Sequence, residues 1–210
     1  MASESEVQSV EAVAEAAWRR GDFAEVASIV FSGYGAEIYS FLLAQFRVER
    51  GPADDVFSDF SEDFWKALPL FQWRCSMRGW CYKLARSAAS RHRRSPNNRR
   101  ERQIPLTEAE MVRELAERAR TSTHLHMRTE VKDRVRQLRE QLSQEDQDLL
   151  VFRIDRDLPW RDVVHAMLDS DDPAQIPDDE ELRKLEAALR QRFIEVKKRI
   201  RHLAETAGLI

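Results

Sequence analysis

Apolar residues recur at helical spacing along most of the chain, and polar breaks cut the pattern into segments. Val7 to Arg20 repeats in this way and stops at Gly21-Asp22, where the aspartate can cap a following helix. Phe23 to Phe31 predicts a second helix, broken by Ser32-Gly33. Tyr34 to Val48 predicts a third, with Ile38, Phe41, Leu42 and Phe46 on one side. Gly51-Pro52 breaks the pattern again. Ala53 to Leu68 then sets Val56, Phe57, Phe60, Phe64 and Trp65 on one face and acids on the other. Pro69 ends that helix, and a loop over 69–75 leads into a long helix from Met77 to about Arg94. There Trp80, Leu84, Ser87 and Ala88 are expected inside, with Lys83, Arg86 and Arg93 outside.

Ser95-Pro96-Asn97-Asn98 stops this helix, and periodicity then weakens. The stretch from 99 to about 128 reads as a charged, mobile linker with a transient helix over 108–119. An alternative is that it folds onto one unit and covers binding surface. A second compact unit begins near Thr129. Val131 to Leu142 is helical, and Ser143 caps a helix running to about Ile154. Asp155-Arg156-Asp157 turns the chain, and Pro159 suits the start of a helix whose inner face is Trp160, Val163, Val164, Met167 and Leu168. After a polar loop, the last helix runs from about Asp179 to Ala207. Leu182, Leu185, Leu189, Phe193, Val196, Ile200 and Leu203 fall within ~80° on its wheel. Arg190, Gln191, Ile194, Lys197, Lys198 and Arg201 lie away from that seam.

The fold class is therefore all-α, with two small helical domains joined by a charged linker. Composition agrees: 34% of the 210 residues are charged and only 6 are glycine. Cys75 and Cys81 are too few and too oddly spaced for a zinc site or a disulfide framework. His124 and His126 form an H-x-H pair with no third ligand nearby. No metal and no cofactor are expected. The start, MASESEVQ, lacks a signal-peptide pattern, and Glu25 and Glu37 interrupt the most apolar stretch, so no membrane span is indicated. A cytoplasmic protein is expected.

Net charge is only −3, but it is segregated. Asp54, Asp55, Asp59, Glu62 and Asp63 precede a basic stretch, Gln72 to Arg102, whose cations are interleaved with Trp73, Trp80 and Tyr82. Cations attract phosphate, and aromatic faces give unstacked bases a surface to lie on. A second acidic run, from Asp171 to Glu181, precedes the basic run Arg190 to Arg201. A basic helix ending a helix–turn–helix predicts that second pattern. No glycine-rich phosphate loop, nucleophile motif or metal-spaced cluster is present, so no catalytic residue and no enzyme is expected.

The order of segments resembles bacterial RNA polymerase sigma factors of the extracytoplasmic-function (ECF) group, in the sigma-70 family. The resemblance is carried by WRRGDFAEVASIVFSGYGAEIYSFLLAQF, ADDVFSDFSEDFWKALPLF, CSMRGWCYKLARSAASRHRR, LSQEDQDLLVFRIDRDLPWRDVVHAML and AALRQRFIEVKKRIRHLAE. It implies a region-two domain over 1–98, a linker over 99–128 and a region-four helix–turn–helix over 129–210, with an insertion at about 169–186. It further implies that Asp55, Asp59, Asp63 and Trp65 contact the polymerase core. Phe71, Gln72 and Trp73 are placed to receive a base of the melted minus-ten element, with Lys83, Arg86, Arg91 and Arg93 on phosphates. Arg190, Gln191, Ile194, Lys197, Lys198 and Arg201 would read the minus-thirty-five duplex. Ser58 and Ser61 stand where the family usually has Gln and a large apolar residue. The implied partners are polymerase core, promoter DNA as duplex and melted non-template strand, and an anti-sigma factor or other regulator. The alternative is a stand-alone helix–turn–helix regulator that never meets polymerase.

Overall fold

The computed structural model describes residues 4–46, 50–94, 106–122, 136–168 and 177–209. Every regular element among them is helical: α1 (Glu4–Arg19), α2 (Phe23–Gln45), α3 (Arg50–Ala67), α4 (Met77–Arg94), α5 (Leu106–Ser122), α6 (Gln144–Leu150), α7 (Trp160–Met167) and α8 (Asp179–Thr206). A 3-10 turn, Leu68–Leu70, follows α3, and a π turn, Val151–Asp155, follows α6. The chain divides into two compact units, the first holding α1 to α5 and the second α6 to α8.

In the first unit α2 is the centre, packed against α1, α3, α4 and α5. Asp22 caps it as its spacing predicts, accepting from the Glu25 amide at 3.0 Å. The expected break at Ser32-Gly33 does not occur: α2 is one helix from Phe23 to Gln45. The glycines serve close packing instead. A Cβ on Gly33 would lie 2.9 Å from a Val10 methyl of α1, and one on Gly35 would lie 2.5 Å from Cβ of Ala119 in α5. By length and apolarity α2 would also suit a membrane span, but 61% of its most apolar window is buried inside this unit.

Aromatic rings fill the space between α2 and α3. Phe31 meets Phe57, Phe60 and Phe64 at centroid distances of 6.2, 5.8 and 5.4 Å. Such pairs contribute roughly 0.5–1.5 kcal/mol each beyond the area they bury. The seam expected along α3 is therefore the core, with Val56, Phe57, Phe60 and Phe64 at most 1% exposed. Gly51-Pro52 lies in the first turn of α3 rather than before it, where a missing proline N–H leaves no helical bond unmade.

Over 106–122 the expected linker holds a helix, as expected over 108–119, but a packed one rather than a transient one, in line with the alternative that it folds onto one unit. There it forms α5, which packs on α2 and α3 and buries Val112, Leu115, Ala116 and Ala119. Arg120 fastens its end, donating to the Asp54 carbonyl at 3.1 Å and to Ser58 Oγ at 2.7 Å, with its guanidinium 5.5 Å over the Phe57 ring. The apolar residues of α5 are few and small, so its sequence looks weakly periodic. The rest of the expected linker, with His124 and His126, lies outside the described residues.

In the second unit Ser143 caps α6, accepting from the Asp146 amide at 3.2 Å. Leu142, Leu150 and Val196 form a core against which Phe193, Ile200 and Leu203 pack. Asp178 caps α8 by accepting from the amides of Glu180 and Glu181 at 2.9 and 2.8 Å. Part of the expected insertion is thus the first two turns of α8, beginning at Asp179. Residues 169–176 of it lie outside the described residues.

The contact between Gly35 and Ala119 predicts a coupling. Gly35→Ala should destabilise the protein by about 1–3 kcal/mol through overpacking. In the Ala119→Gly background the same change should cost little, because the space is then open. Urea unfolding of the double-mutant cycle reads the coupling directly, and additive effects would show that α5 does not seat on Gly35.

Tyr39 supplies a pH test of the same region. Its hydroxyl donates to Asp54 at 2.6 Å, and burial first, then Asp54, pushes the phenol up from 10.0 to about 12. The unfolded chain releases this proton near 10.0 and the folded chain only near about 12, so stability falls as pH rises across that window. Tyr39→Phe should make the fall shallower, measured as the shift in urea midpoint between neutral pH and the upper end of the window.

Candidate nucleic-acid interface

Helix α4 is positioned at its first turn. The Glu11 carboxylate of α1 accepts from the Met77 and Arg78 amides at 2.8 and 2.9 Å, and Ser76 Oγ accepts from Gly79 at 2.9 Å. A negative charge at this end also complements the helix dipole. Tyr34 donates to the same carboxylate at 3.0 Å. Burial, then Glu11, raises the Tyr34 phenol well above its ordinary value. One turn further on, Glu37 of α2 accepts from Arg78 at 2.6 and 3.0 Å and from the Tyr82 hydroxyl at 2.6 Å. Burial works against the Arg78 charge, but Glu37 more than offsets it, and the guanidinium is held above its ordinary pKa.

The loop before α4 carries an aromatic stack. Phe71 lies 4.6 Å from Trp80 and 5.0 Å from Trp73, and Trp73 meets Trp18 edge-on at 6.4 Å. Trp73 has φ +55°, in the left-handed region that tryptophan rarely adopts. Gln72 is exposed and Trp73 half-buried, but Phe71 is 4% exposed and belongs to the core.

The phosphate contacts expected on α4 are corrected more heavily. Lys83 and Arg86 are only 3% and 8% exposed. Every residue from Gly79 to Arg86 is buried, so this part of α4 has no solvent face. A helical wheel divides a helix into two sides, and it fails for one enclosed all round. Arg91 pairs with Asp63 of α3, joining two residues expected to serve different partners. Arg93 is exposed and donates to Gln45 at 2.8 Å. Arg99, Arg100 and Arg102 lie outside the described residues.

On α3, Asp55 is exposed, while Asp59, Asp63 and Trp65 are half-buried. The two serines that depart from the family pattern have local roles. Ser61 is buried and donates to the Phe57 carbonyl at 2.6 Å, and Ser58 donates to the Asp54 carbonyl at 3.0 Å while receiving Arg120. Cys75 and Cys81 are buried thiols not joined in a disulfide, and burial raises the Cys81 pKa well above its usual value, which keeps it protonated and inert.

The second unit carries the more open surface. Arg190, Gln191, Ile194, Lys197, Lys198 and Arg201 are all exposed on α8. They span an arc of ~120° on the wheel, opposite the buried seam. Their ion pairs are local: Arg190 with Glu186, Lys198 with Glu195, and Arg201 with Glu205. Exposed pairs of this kind are worth about 0.3–0.5 kcal/mol and are readily exchanged for phosphate. The other two arginines of the run behave differently. Arg192 and Arg199, seven positions apart, turn towards α6 and reach Asp146 at 2.7 and 3.3 Å. Burial opposes the Arg192 charge, and the hydrogen bonds it donates to Glu145 and Asp146 outweigh it, leaving its pKa raised. Asp146 therefore ties α6 to the flank of α8 and leaves the outer arc uncovered by this unit.

The sequence pointed to none of Glu11, Glu37, Arg120 and Asp146 as a tie between helices: Glu37 stood out only as a break in the apolar stretch, and Asp146 only as the capping-box position three residues after Ser143. Only Asp146 left a signal, the seven-residue spacing of Arg192 and Arg199 on one flank of α8. Compared with protein-family models, with curated proteins and with solved structures, the chain matches none.

Glu11→Ala should destabilise the first unit by about 1–3 kcal/mol, because two part-buried amides lose a charged acceptor. Tyr34→Phe should cost about 1 kcal/mol, since both amides keep theirs. Urea unfolding of the two variants checks the order, and equal costs would contradict the capping role.

Proposed function

We propose that the chain is a sigma factor of the ECF group, which binds RNA polymerase core and directs promoter recognition, strand opening and initiation. In this reading the first unit is region two, the second is region four, and α5 belongs to the segment between them. The observation that carries the proposal is the exposed basic arc of α8 on a packed helical unit, in a chain whose α3 also exposes Asp55 and leaves Asp59 half-buried. Paired hydrogen bonds from Arg190 and Gln191 to base edges supply sequence preference, worth roughly 1–3 kcal/mol each. Lys197, Lys198 and Arg201 hold phosphates on any sequence. In the first unit Gln72 and Trp73 receive an unpaired base, and stacking of roughly 1–3 kcal/mol per base offsets unstacking. Asp55 and Asp59 meet a basic face of polymerase core. An anti-sigma factor or other regulator completes the expected partners.

A second reading, a stand-alone helix–turn–helix regulator, is favoured by the burial of Phe71, Lys83 and Arg86, which removes phosphate-binding charge from the first unit. Co-purification with core separates the two. Asp55→Lys with Asp59→Lys should weaken core binding at least about tenfold through like-charge contact, with helicity and melting read alongside to separate lost docking from lost fold. Asp63 is left intact because it holds Arg91. Lys197→Ala should weaken binding to every duplex and lower the salt slope by about one counterion. Unchanged co-purification overturns the docking role, and an unchanged salt slope overturns the phosphate role of Lys197.

A further inference from the structure

The outer arc of α8 is anchored to another element at one of its candidate readers. Cζ of Arg190 lies 5.0 Å over the ring of Trp160, the first residue of α7. That ring is itself held in place. Phe193 packs against it edge-on at 5.6 Å, Arg153 places its Cζ 4.9 Å over it, and Arg153 donates in turn to the Leu158 carbonyl. By contrast, among the described residues Gln191, Lys198 and Arg201 reach only Glu195 and Glu205, one turn away on α8 itself.

We infer that Trp160 is a positioning residue for Arg190, fixing the guanidinium so that it discriminates between bases. This rests on the proposal that α8 reads duplex DNA. The reason lies in how a guanidinium is shared. A carboxylate partner takes up the N–H edge, which is the part that forks onto the O6 and N7 acceptors of guanine. An indole takes up the flat face and leaves that edge outward. Glu186 competes only weakly, through one nitrogen at 3.3 Å. Stacking also removes rotamer freedom before DNA arrives, so less is lost on binding. The ring is wedged between α7, the π turn and α8, and it carries this order from the packed side of the unit to its outer face.

A Trp160 that serves packing alone would lower the melting temperature when replaced and leave base preference untouched. The full chain is used to select duplexes from a randomised pool, and the enriched duplex and its single-base variants are then titrated with each variant protein. Arg190→Ala and Trp160→Leu should relax preference at the same base position, Trp160→Leu by about 3- to 10-fold. Trp160→Leu should keep the salt slope and the affinity for non-selected duplex, because no charge is lost. Trp160→Phe, which keeps a ring with a weaker face, should relax it to an intermediate degree; it also decides the matter should Trp160→Leu fail to fold. If Arg190→Ala relaxes preference while both Trp160 variants leave it unchanged, the positioning role is overturned and reading by α8 stands. If Arg190→Ala changes preference nowhere, reading through Arg190 is overturned, and the role of Trp160 with it.

Discussion

The carboxylate of Glu11 at the start of α4 is the contact on which the first unit turns. It joins α1 to the helix that carries most of the described part of the basic stretch, and through Tyr34 it engages α2 as well. Glu37 repeats the device one turn later, with Arg78 and Tyr82. Buried carboxylates are costly unless every partner is in place, so the two together fix where α4 begins and how it is rotated. That rotation sends Lys83 and Arg86 inward, while Gln72 in the loop just before the helix and Arg93 and Arg94 at its end stay exposed and Trp73 is half-buried. The polar network inside the unit thereby decides which part of a strongly basic sequence is available at its surface.

Close approach to α2 is the second constraint. Gly33 and Gly35 let α1 and α5 lie nearer than any side chain would allow. Glycine is read in sequence as a helix break because of its backbone freedom, and here it is used for its missing Cβ. The same feature explains why α5 was read as a linker. A helix seated on a glycine notch buries small residues such as Ala116 and Ala119, which add little to an apolar pattern. The all-helical class, the caps at Asp22 and Ser143, the extent of α4 and the seam of α8 were legible, because each rests on local spacing or a short-range hydrogen bond.

The candidate site was legible to the same extent. On α8 one side packs and the other does not, so the wheel separates Arg190, Gln191, Ile194, Lys197, Lys198 and Arg201 correctly as the exposed set. On α4 the helix is enclosed from Gly79 to Arg86, and there the wheel has nothing to separate. Long-range partners were hidden for a different reason. Arg91 with Asp63 and Asp146 with Arg192 pair residues 28 and 46 positions apart, and no local pattern encodes such distances. In each case an arginine that composition assigns to DNA is spent on holding two helices together.

The central claim is that this chain turns polymerase core into a promoter-specific enzyme. Run-off transcription with purified core and a pool of promoter fragments tests it most directly. The account predicts discrete transcripts that appear only when the chain is added and that vanish from the same templates with Asp55→Lys and Asp59→Lys together. Selective binding to duplex DNA with no transcript from any template would contradict it and leave the second unit as a regulator acting alone.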